Sequence, residues 1–266
     1  MTFQYIETHF DAGVYRIRLN RPQVHNALHA DLLHELIQAM NMVKKLSGCR
    51  VVLLEGAGPS FCAGADIRFV MDAHGTALLP AFGERLQELL FELVHCRQPV
   101  VTKVQGAVYG GALGLLAASD IVISADNSKF SFSETKIGMV PAAILPFVNK
   151  RIGTTPTRYL MLTAKVFDAA EAMGYGLVNQ AVPADALDQA INNVIHEILQ
   201  SSPEATTLTK QLINAVDNRN VLIDSATYSI NFYDNINKSP FVKEGLQAFR
   251  EKRKPSWVAP TPRKDA

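Results

Sequence analysis

Hydrophobic and polar residues follow one another along the first half of the chain with two different periods. Residues 14–19, Val-Tyr-Arg-Ile-Arg-Leu, alternate with a period of two, which is typical of a half-buried strand. From Asp31 to Val43 the apolar residues recur at helical spacing and make one apolar face. The short apolar run Val51–Leu54, closed by Gly56, predicts a strand buried on both faces.

The same alternation continues beyond these elements. Apolar residues at 86–94 predict a second helix, Val100–Val104 a strand, Ala112–Ala118 a short helix and Ile121–Ile123 another strand. Gly75–Pro80 is expected to be a mobile loop. Strands that alternate with helices predict an α/β fold in which both faces of the sheet are covered.

The pattern changes at about Pro141, after which almost every predicted element is a helix. Apolar residues indicate helices at 187–198 and 208–216, and a third helical segment at 228–236. No linker rich in glycine and serine separates the two parts. We therefore predict a core over residues 1–200 and a helical C-terminal assembly region over residues 201–266 that packs on this core or on a neighbouring chain.

Charge balance and cysteine content exclude several classes of protein. The net charge is +1, so the basic excess typical of nucleic-acid binding or of attraction to an acidic membrane is missing. The three scattered cysteines form neither a disulfide framework nor a zinc-ligand pattern. The N-terminus has no signal-peptide pattern, and the most apolar stretch, Val108–Ala118, is shorter than the roughly 20 residues of a membrane span. These features predict a cytoplasmic protein with no metal, nucleic-acid partner or membrane contact.

Several catalytic motifs are incomplete in this sequence. His34-Glu35 and His196-Glu197 begin the zinc-protease motif, but neither is followed by the second histidine. Residues 58–62 begin like a nucleophile elbow and lack the closing glycine. Cys62 itself lies in an apolar setting, so we expect a small core residue rather than a nucleophile.

Two glycine-bearing turns remain, each at a point where a predicted strand gives way to a helix. The first is Phe61–Arg68 and the second is Gly106–Gly114. Glycine lets a ligand approach the backbone closely, and the start of a helix presents N–H groups without partners. Two such N–H groups aimed at one point would form an oxyanion hole. Asp66 is expected in the first place to cap a helix.

Six short motifs occur in order along nearly the whole chain. They are Asn20-Arg21-Pro22 with Asn26-Ala27-Leu28, Ala63-Gly64-Ala65-Asp66, Gly110-Gly111, Ser119-Asp120-Ile121, Phe132-Ser133-Glu134 with Gly138-Met139-Val140-Pro141, and Ala248-Phe249-Arg250-Glu251-Lys252-Arg253. Together they resemble the crotonase superfamily, the enoyl-CoA hydratase/isomerase family. Residues 110–115 and 140–144 resemble a single-glutamate branch commonly assigned as methylglutaconyl-CoA-type hydratases.

The resemblance implies a fold and an assembly. The fold is an α/β, crotonase-like spiral of ββα turns with a helical C-terminal region. The family typically forms trimers, often paired, so a homotrimer or a dimer of trimers is expected. CoA belongs to the substrate, an acyl-CoA thioester, and no separate cofactor or metal is implied.

The resemblance also implies roles for individual residues. The N–H groups of Ala65 and Gly111 should bind the thioester carbonyl oxygen and stabilise an enolate, and Glu134 should be the catalytic carboxylate. The nucleotide part of CoA should meet Val24 and Arg68, and Phe249 and Lys252 should meet the CoA of a neighbouring subunit. The remaining positions expected to bind substrate or CoA are Ala63, Asp66, Ile67, Gly110, Gly114 and Pro141.

One position departs from the family pattern. Hydratases with two catalytic glutamates have the first of them at the place of Gly114. Glu134 is then the one matched carboxylate, and burial in an apolar pocket would raise its pKa. Gly114 either leaves room for a branched acyl group or reflects close helix packing.

The predicted function is hydration of a short or branched 2-enoyl-CoA, with carboxylated acyl groups included. One alternative is a Δ3,Δ2-enoyl-CoA isomerase that uses Glu134 as its sole base. Decarboxylation or thioester hydrolysis on the same scaffold is a further enzymatic alternative. A non-catalytic acyl-CoA-binding protein is the alternative from another class.

Overall fold

The computed structural model describes residues 2–74, 76–217 and 240–258. Its strands are β1 (Ile6–Asp11), β2 (Val14–Leu19), β3 (Val51–Gly56), β4 (Val100–Val104), β5 (Ala107–Tyr109), β6 (Ile121–Ala125), β7 (Lys129–Ser131), β8 (Phe167–Asp168) and β9 (Gln180–Val182). Its helices are α1 (Ala30–Val43), α2 (Ile67–Ala73), α3 (Leu78–His95), α4 (Ala112–Ala117), α5 (Leu145–Ile152), α6 (Thr154–Thr163), α7 (Ala169–Gly174), α8 (Leu187–Gln200), α9 (Pro203–Asp217) and α10 (Pro240–Arg250). Short 3-10 turns lie at Pro22–Val24, Ser133–Ile137 and Ala184–Ala186.

Two sheets of unequal size organise the described part of the chain. The larger sheet has the order β1-β2-β3-β4-β6-β9, and the smaller one has the order β5-β7-β8. The larger sheet is parallel except for the β1–β2 hairpin. The chain passes from β4 to β5 and then α4, and from β6 to β7 and then α5, so twice in succession it adds a strand to the small sheet before a helix. This repetition is the predicted spiral of ββα turns.

Apolar side chains cover the large sheet on both faces, as the alternation of strands and helices predicted. The main core lies between one face of this sheet, the small sheet and the helices α1, α3 and α4. On the opposite face a smaller cluster joins residues of β2, β3, β4 and β6 to α8 through Leu187, Ile191 and Ile195. The strands of the middle of the sheet are therefore buried on both sides, which explains their continuous apolar runs.

The strong periodic signals in the sequence are confirmed. The structure has strands at the predicted positions 14–19 and 100–104. The helix predicted from the apolar residues between 31 and 43 is α1. The helix predicted at 187–198 is α8, and the one predicted at 208–216 is α9. The segment at 228–236 lies outside the described residues.

The predicted end of one loop is wrong. The expected loop Gly75–Pro80 ends earlier, because α3 already begins at Leu78 and includes Pro80. Proline is tolerated in the first turn of a helix, where its missing N–H would have no partner.

The described chain after Pro141 is mostly helical, as predicted. It also contains β8 and β9, and strands of two or three residues are too short to show a period.

A buried lysine fastens α9 to the rest of the chain. The Nζ group of Lys210 donates hydrogen bonds to the carbonyl oxygens of Leu93 and Gln98 at 3.3 and 3.2 Å, and to the Asp120 carboxylate at 2.6 Å. Its three donors are therefore satisfied at the end of α3, just before β4 and just before β6. At least part of the region 201–266 thus packs on its own chain.

The end of the described chain returns to the same side of the molecule. The guanidinium of Arg50 donates to the carbonyl oxygens of Leu199, Ser201 and Trp257, and the indole N–H of Trp257 donates to the carbonyl oxygen of Gln200 at 3.2 Å.

None of the helices in the described part of the chain combines the length and the hydropathy that crossing a bilayer requires.

We predict that Lys210→Met lowers the free energy of unfolding by about 2 kcal/mol, because Asp120 and two carbonyl oxygens lose their buried donor. The matched control is Lys44→Met, which removes the exposed pair of Lys44 with Glu92 and should cost less than about 1 kcal/mol. Urea titration of both variants measures the difference. Equal losses in the two variants would show that the Lys210 contacts do not hold α9.

Candidate active site

Three chain turns lie side by side at one end of the small sheet. Cys62 forms a parallel bridge with Val108, and Val108 pairs in turn with Phe130. A predicted catalytic residue follows each of them closely in the sequence. Ala65 comes three positions after Cys62, Gly111 three after Val108, and Glu134 four after Phe130. The strand register therefore brings the three together, although up to 69 positions separate them in the sequence.

The first two turns approach each other so closely that a side chain would not fit between them. Gly64 has a φ of +88°, and a Cβ added there would lie 2.5 Å from the carbonyl oxygen of Tyr109. Any L-residue at this position would collide with backbone and adopt a strained conformation. The close approach of the two turns therefore requires glycine at position 64, which the sequence alone did not reveal.

Hydrogen bonds on one side of the first turn leave the N–H of Ala65 free on the other. The N–H of Leu28 donates to Gly64 at 2.7 Å, and the N–H of Asp66 donates to Leu28 at 2.8 Å. Because N–H groups alternate in direction along an extended segment, that of Ala65 points away from Leu28. Among the described residues no atom accepts a hydrogen bond from it.

The N–H of Gly111 also has no hydrogen-bond acceptor among the described residues. The preceding N–H, that of Gly110, donates to Ser131 at 2.9 Å, whereas no described residue accepts a hydrogen bond from Gly111. Gly111 lies directly before α4, and it lines the same cavity as Ala65. Two backbone donors without partners at one cavity have the composition of an oxyanion hole.

Asn26 holds the first turn in place, a role that the sequence analysis did not assign. Its buried amide nitrogen donates to the carbonyl oxygens of Ala57, Ser60 and Phe61 at 2.8–3.0 Å. Its amide oxygen accepts from the N–H of Arg21 at 2.8 Å. The residue has a φ of +57°, which asparagine tolerates better than most residues. Its place in the shared Asn26-Ala27-Leu28 motif was the available signal.

Glu134 presents a carboxylate without an external partner. It lies in the 3-10 turn Ser133–Ile137, and its Oε2 atom is buried with no hydrogen bond in the described structure. Burial raises the pKa of this carboxyl above its ordinary value, although a hydrogen bond from its own backbone N–H acts in the opposite direction. A Cβ at Gly110 would lie 3.2 Å from Oε1, so the carboxylate rests against this glycine.

The three residues line a cavity of about 520 Å³. Its walls come from the first half of α3 and from the segment 139–144, and most of them are apolar. The lining residues are Ala65, Leu79, Pro80, Phe82, Gly83, Leu86, Gln87, Gly111, Glu134, Met139, Val140, Pro141, Ala142, Ala143 and Ile144. The α3 wall was not predicted as part of the site, since its apolar face reads simply as a helix packed on a core.

Ile144 fills the space that a side chain at Gly114 would need. A Cβ on Gly114 would lie 2.5 Å from Cγ2 of Ile144 and 3.1 Å from Cδ1 of Leu90. Gly114 is buried and does not line the cavity. Close packing of α4 against Ile144 and α3 therefore accounts for this glycine, and room for a branched acyl group does not.

The predicted residues fall into two groups. Pro141 lines the cavity together with Ala65, Gly111 and Glu134. Ala63, Ile67, Arg68 and Val24 lie outside it on neighbouring segments, with Ile67 and Arg68 exposed at the start of α2. Lys252 is exposed, and the side chain of Phe249 lies outside the described part of the structure.

The side chain of Asp66 is engaged in local structure. Its Oδ1 accepts from the N–H of Arg68 at 3.1 Å, which caps α2 as expected, and its Oδ2 pairs with Arg21 at 3.1 Å. Cys62 is fully buried, and burial raises the pKa of its thiol to about 12. Its complete burial confirms that Cys62 is a core residue.

Comparisons with known proteins identify the family of the chain. The family model of enoyl-CoA hydratase/isomerase matches residues 9–260. A probable enoyl-CoA hydratase of Mycobacterium tuberculosis is 30% identical over 97% of this chain and 99% of its own. The trans-2-decenoyl-[acyl-carrier-protein] isomerase of Streptococcus mutans is 26% identical over 97% and 99%. The crystal structure of an enoyl-CoA hydratase from Shewanella pealeana superposes with a TM-score of 0.91, with 32% identity over 96% of each chain.

The fold is thus that of the crotonase class of enzymes. The chain belongs to the enoyl-CoA hydratase/isomerase family, and it is an enzyme of that family. Membership implies an acyl-CoA thioester as substrate.

We predict that Glu134→Gln stabilises the protein at alkaline pH. Because the pKa is raised in the folded state, the unfolded chain ionises first, and stability falls as pH rises from the ordinary glutamate pKa through the folded one. Above that window the variant should be more stable by roughly 1 kcal/mol, and below it the two proteins should match.

Thermal unfolding across a pH series measures this difference. Glu88→Gln, at an exposed position on α3, is the matched control for the substitution itself. A gain of Glu134→Gln that is the same at every pH would contradict the effect of burial on this carboxyl.

Proposed function

We propose that this protein is an enoyl-CoA hydratase that adds water to a short or branched 2-enoyl-CoA. One observation carries the proposal: a carboxylate whose buried Oε2 has no partner and two backbone N–H groups meet at one apolar cavity, and no described residue accepts from either N–H. Ala65 and Gly111 supply the donors, and Glu134 supplies the carboxylate. These are the parts that a reaction through a thioester enolate requires.

The two N–H groups act on the carbonyl oxygen of the thioester. When water attacks Cβ, the electron pair of the Cα=Cβ bond moves toward this oxygen and makes an enolate. Ala65 and Gly111 donate hydrogen bonds to the oxygen as it gains negative charge, so they bind the transition state more tightly than the substrate. Removing one donor of this kind typically costs about 10²–10³ in rate.

Glu134 moves the proton. Its carboxylate accepts a proton from water as the oxygen bonds to Cβ, and the resulting carboxyl donates a proton to Cα as the carbonyl forms again. The sum of the two steps adds H and OH across the double bond and returns Glu134 to its starting state. A pKa raised by burial suits this exchange, because donor and acceptor forms are then closer in energy near neutral pH.

A Δ3,Δ2-enoyl-CoA isomerase is the second candidate, and the packing of Ile144 against Gly114 favours it. The place of a second carboxylate is filled by methyl groups, so no side chain there holds a water molecule. In this reaction Glu134 removes a proton from Cα of a 3-enoyl-CoA, the enolate forms at the same two donors, and the carboxyl returns the proton to the γ-carbon.

We further propose the outer contacts and the assembly that the family resemblance implies. Arg68 in the first turn of α2 and Val24 in the 3-10 turn Pro22–Val24 would contact the nucleotide part of CoA. Ala63 and Ile67 would contact the substrate or CoA. Lys252 and Phe249 would contact the CoA of a neighbouring subunit in a homotrimer or dimer of trimers. The protein would act in the cytoplasm without a separate cofactor.

A product assay with Glu134→Gln tests the proposal. The wild type, offered straight, branched and carboxylated 2-enoyl-CoA thioesters and their 3-enoyl isomers, should convert a 2-enoyl substrate to a product heavier by one water. The variant should lose at least about 100-fold in kcat, since the proton relay is gone, while its affinity for a saturated acyl-CoA persists.

Mass analysis of the products separates the outcomes. Conversion of a 3-enoyl to a 2-enoyl thioester without added water would establish the isomerase instead. Binding of all thioesters without turnover would identify a non-catalytic acyl-CoA-binding protein. Near-wild-type turnover by Glu134→Gln would overturn the role of Glu134 in either reaction.

A further inference from the structure

Gln87 is the second polar side chain among the described residues that line the cavity, Glu134 being the first. It lies on α3 and is partly buried. No described residue forms a hydrogen bond with its carboxamide. An amide can donate two hydrogen bonds and accept two, so this group has its full capacity available on an otherwise apolar wall.

The helix geometry directs this amide into the cavity. Residues four positions apart lie one above the other on a helix, and a helical side chain leans toward the N-terminal end over the preceding turn. The residue one turn before Gln87 is Gly83, which also lines the cavity. A Cβ added to Gly83 would meet no atom within 4 Å, so the space over this turn is open.

Neighbouring contacts distinguish the position of Gln87 from that of the oxyanion donors. Leu86 packs against Gly111 and Leu90 packs against Gly114, so these two leucines form the side of α3 that faces α4. One turn beyond Gln87, Phe91 contacts Phe147 of α5 with ring centroids 5.2 Å apart. Gln87 therefore faces the segment 139–144, where the acyl chain must pass, rather than the thioester.

The charge around the cavity restricts what this amide can recognise. No Lys, Arg or His is among the described residues of the lining. A second carboxylate, on the acyl group, would lie in the same apolar cavity as Glu134 with no cation to balance it, which is costly. A hydroxyl or carbonyl oxygen carries no charge and matches the donors and acceptors of an amide.

We propose that Gln87 selects acyl groups with an uncharged oxygen function, a hydroxyl or carbonyl, beyond the reacting carbons. The inference rests on the proposed reaction of acyl-CoA thioesters at this cavity and specifies its substrate class. The sequence-based prediction included carboxylated acyl groups among the substrates, and the present proposal disfavours them. Gln87 is a specificity-determining residue in this account and takes no part in the proton transfer.

The test uses binding, which does not require turnover. Three saturated acyl-CoA thioesters of equal chain length, ending in a methyl, a hydroxyl or a carboxyl group, are titrated calorimetrically into the wild type and into Gln87→Leu. The wild type should bind the hydroxyl compound most tightly. The variant should lose about tenfold in affinity for it, the size of one hydrogen bond, and none for the methyl compound.

Two comparisons make the result specific. Gln189→Leu makes the same exchange at an exposed position on α8, on the far side of the large sheet, and should leave all three affinities unchanged. The kcat/KM values of Gln87→Leu for the matching 2-enoyl thioesters should fall in the same pattern, with the largest loss for the hydroxyl compound.

Three results would overturn the proposal. They are equal losses for the methyl and hydroxyl compounds, tightest binding of the carboxyl compound, and no binding of any of the three. If the hydratase proposal alone failed, turnover would be absent, but the wild type would still bind the hydroxyl compound more tightly than the methyl compound.

Discussion

The close approach of Gly64 to the backbone of Tyr109 is the contact on which the rest of the site depends. A single added Cβ would lie 2.5 Å from a carbonyl oxygen, so only glycine permits this spacing. The spacing in turn allows the bridge between Cys62 and Val108. From that bridge follow the positions of both free N–H groups and, through β7, of Glu134. The arrangement of these three groups at the cavity is therefore a consequence of strand register.

The low polarity of the cavity determines the chemistry at Glu134 and also limits it. With no external partner among the described residues, the carboxylate is destabilised relative to its protonated form, which suits the proton transfer that we propose for it. The packing of Ile144 against Gly114 leaves no room for a carboxylate side chain at position 114. In the proposed reaction, one acidic group and two backbone donors serve every step, and Gln87 contacts the acyl group.

Sequence analysis was sufficient where a local signal exists. The buried strands, the amphipathic helices α1 and α8, and the turns that contain Ala65 and Gly111 all follow from periodicity or from glycine positions. Other features arise only when distant segments pack together. Gln87 carries no mark in the sequence, and the contact of Ile144 with Gly114 is not visible there, because both depend on which helix faces which loop. The support that Asn26 gives to the first turn likewise joins residues more than 30 positions apart.

Exchange of the Cα hydrogens of a saturated acyl-CoA in deuterated water tests the central claim most directly. This reaction needs only the two donors and Glu134 to form the enolate, and neither water addition nor a shift of the double bond. The account predicts that the wild type incorporates deuterium at Cα, with a rate at least about 100-fold higher than that of Glu134→Gln. Incorporation no faster than in buffer, or equal rates in the two proteins, would contradict it.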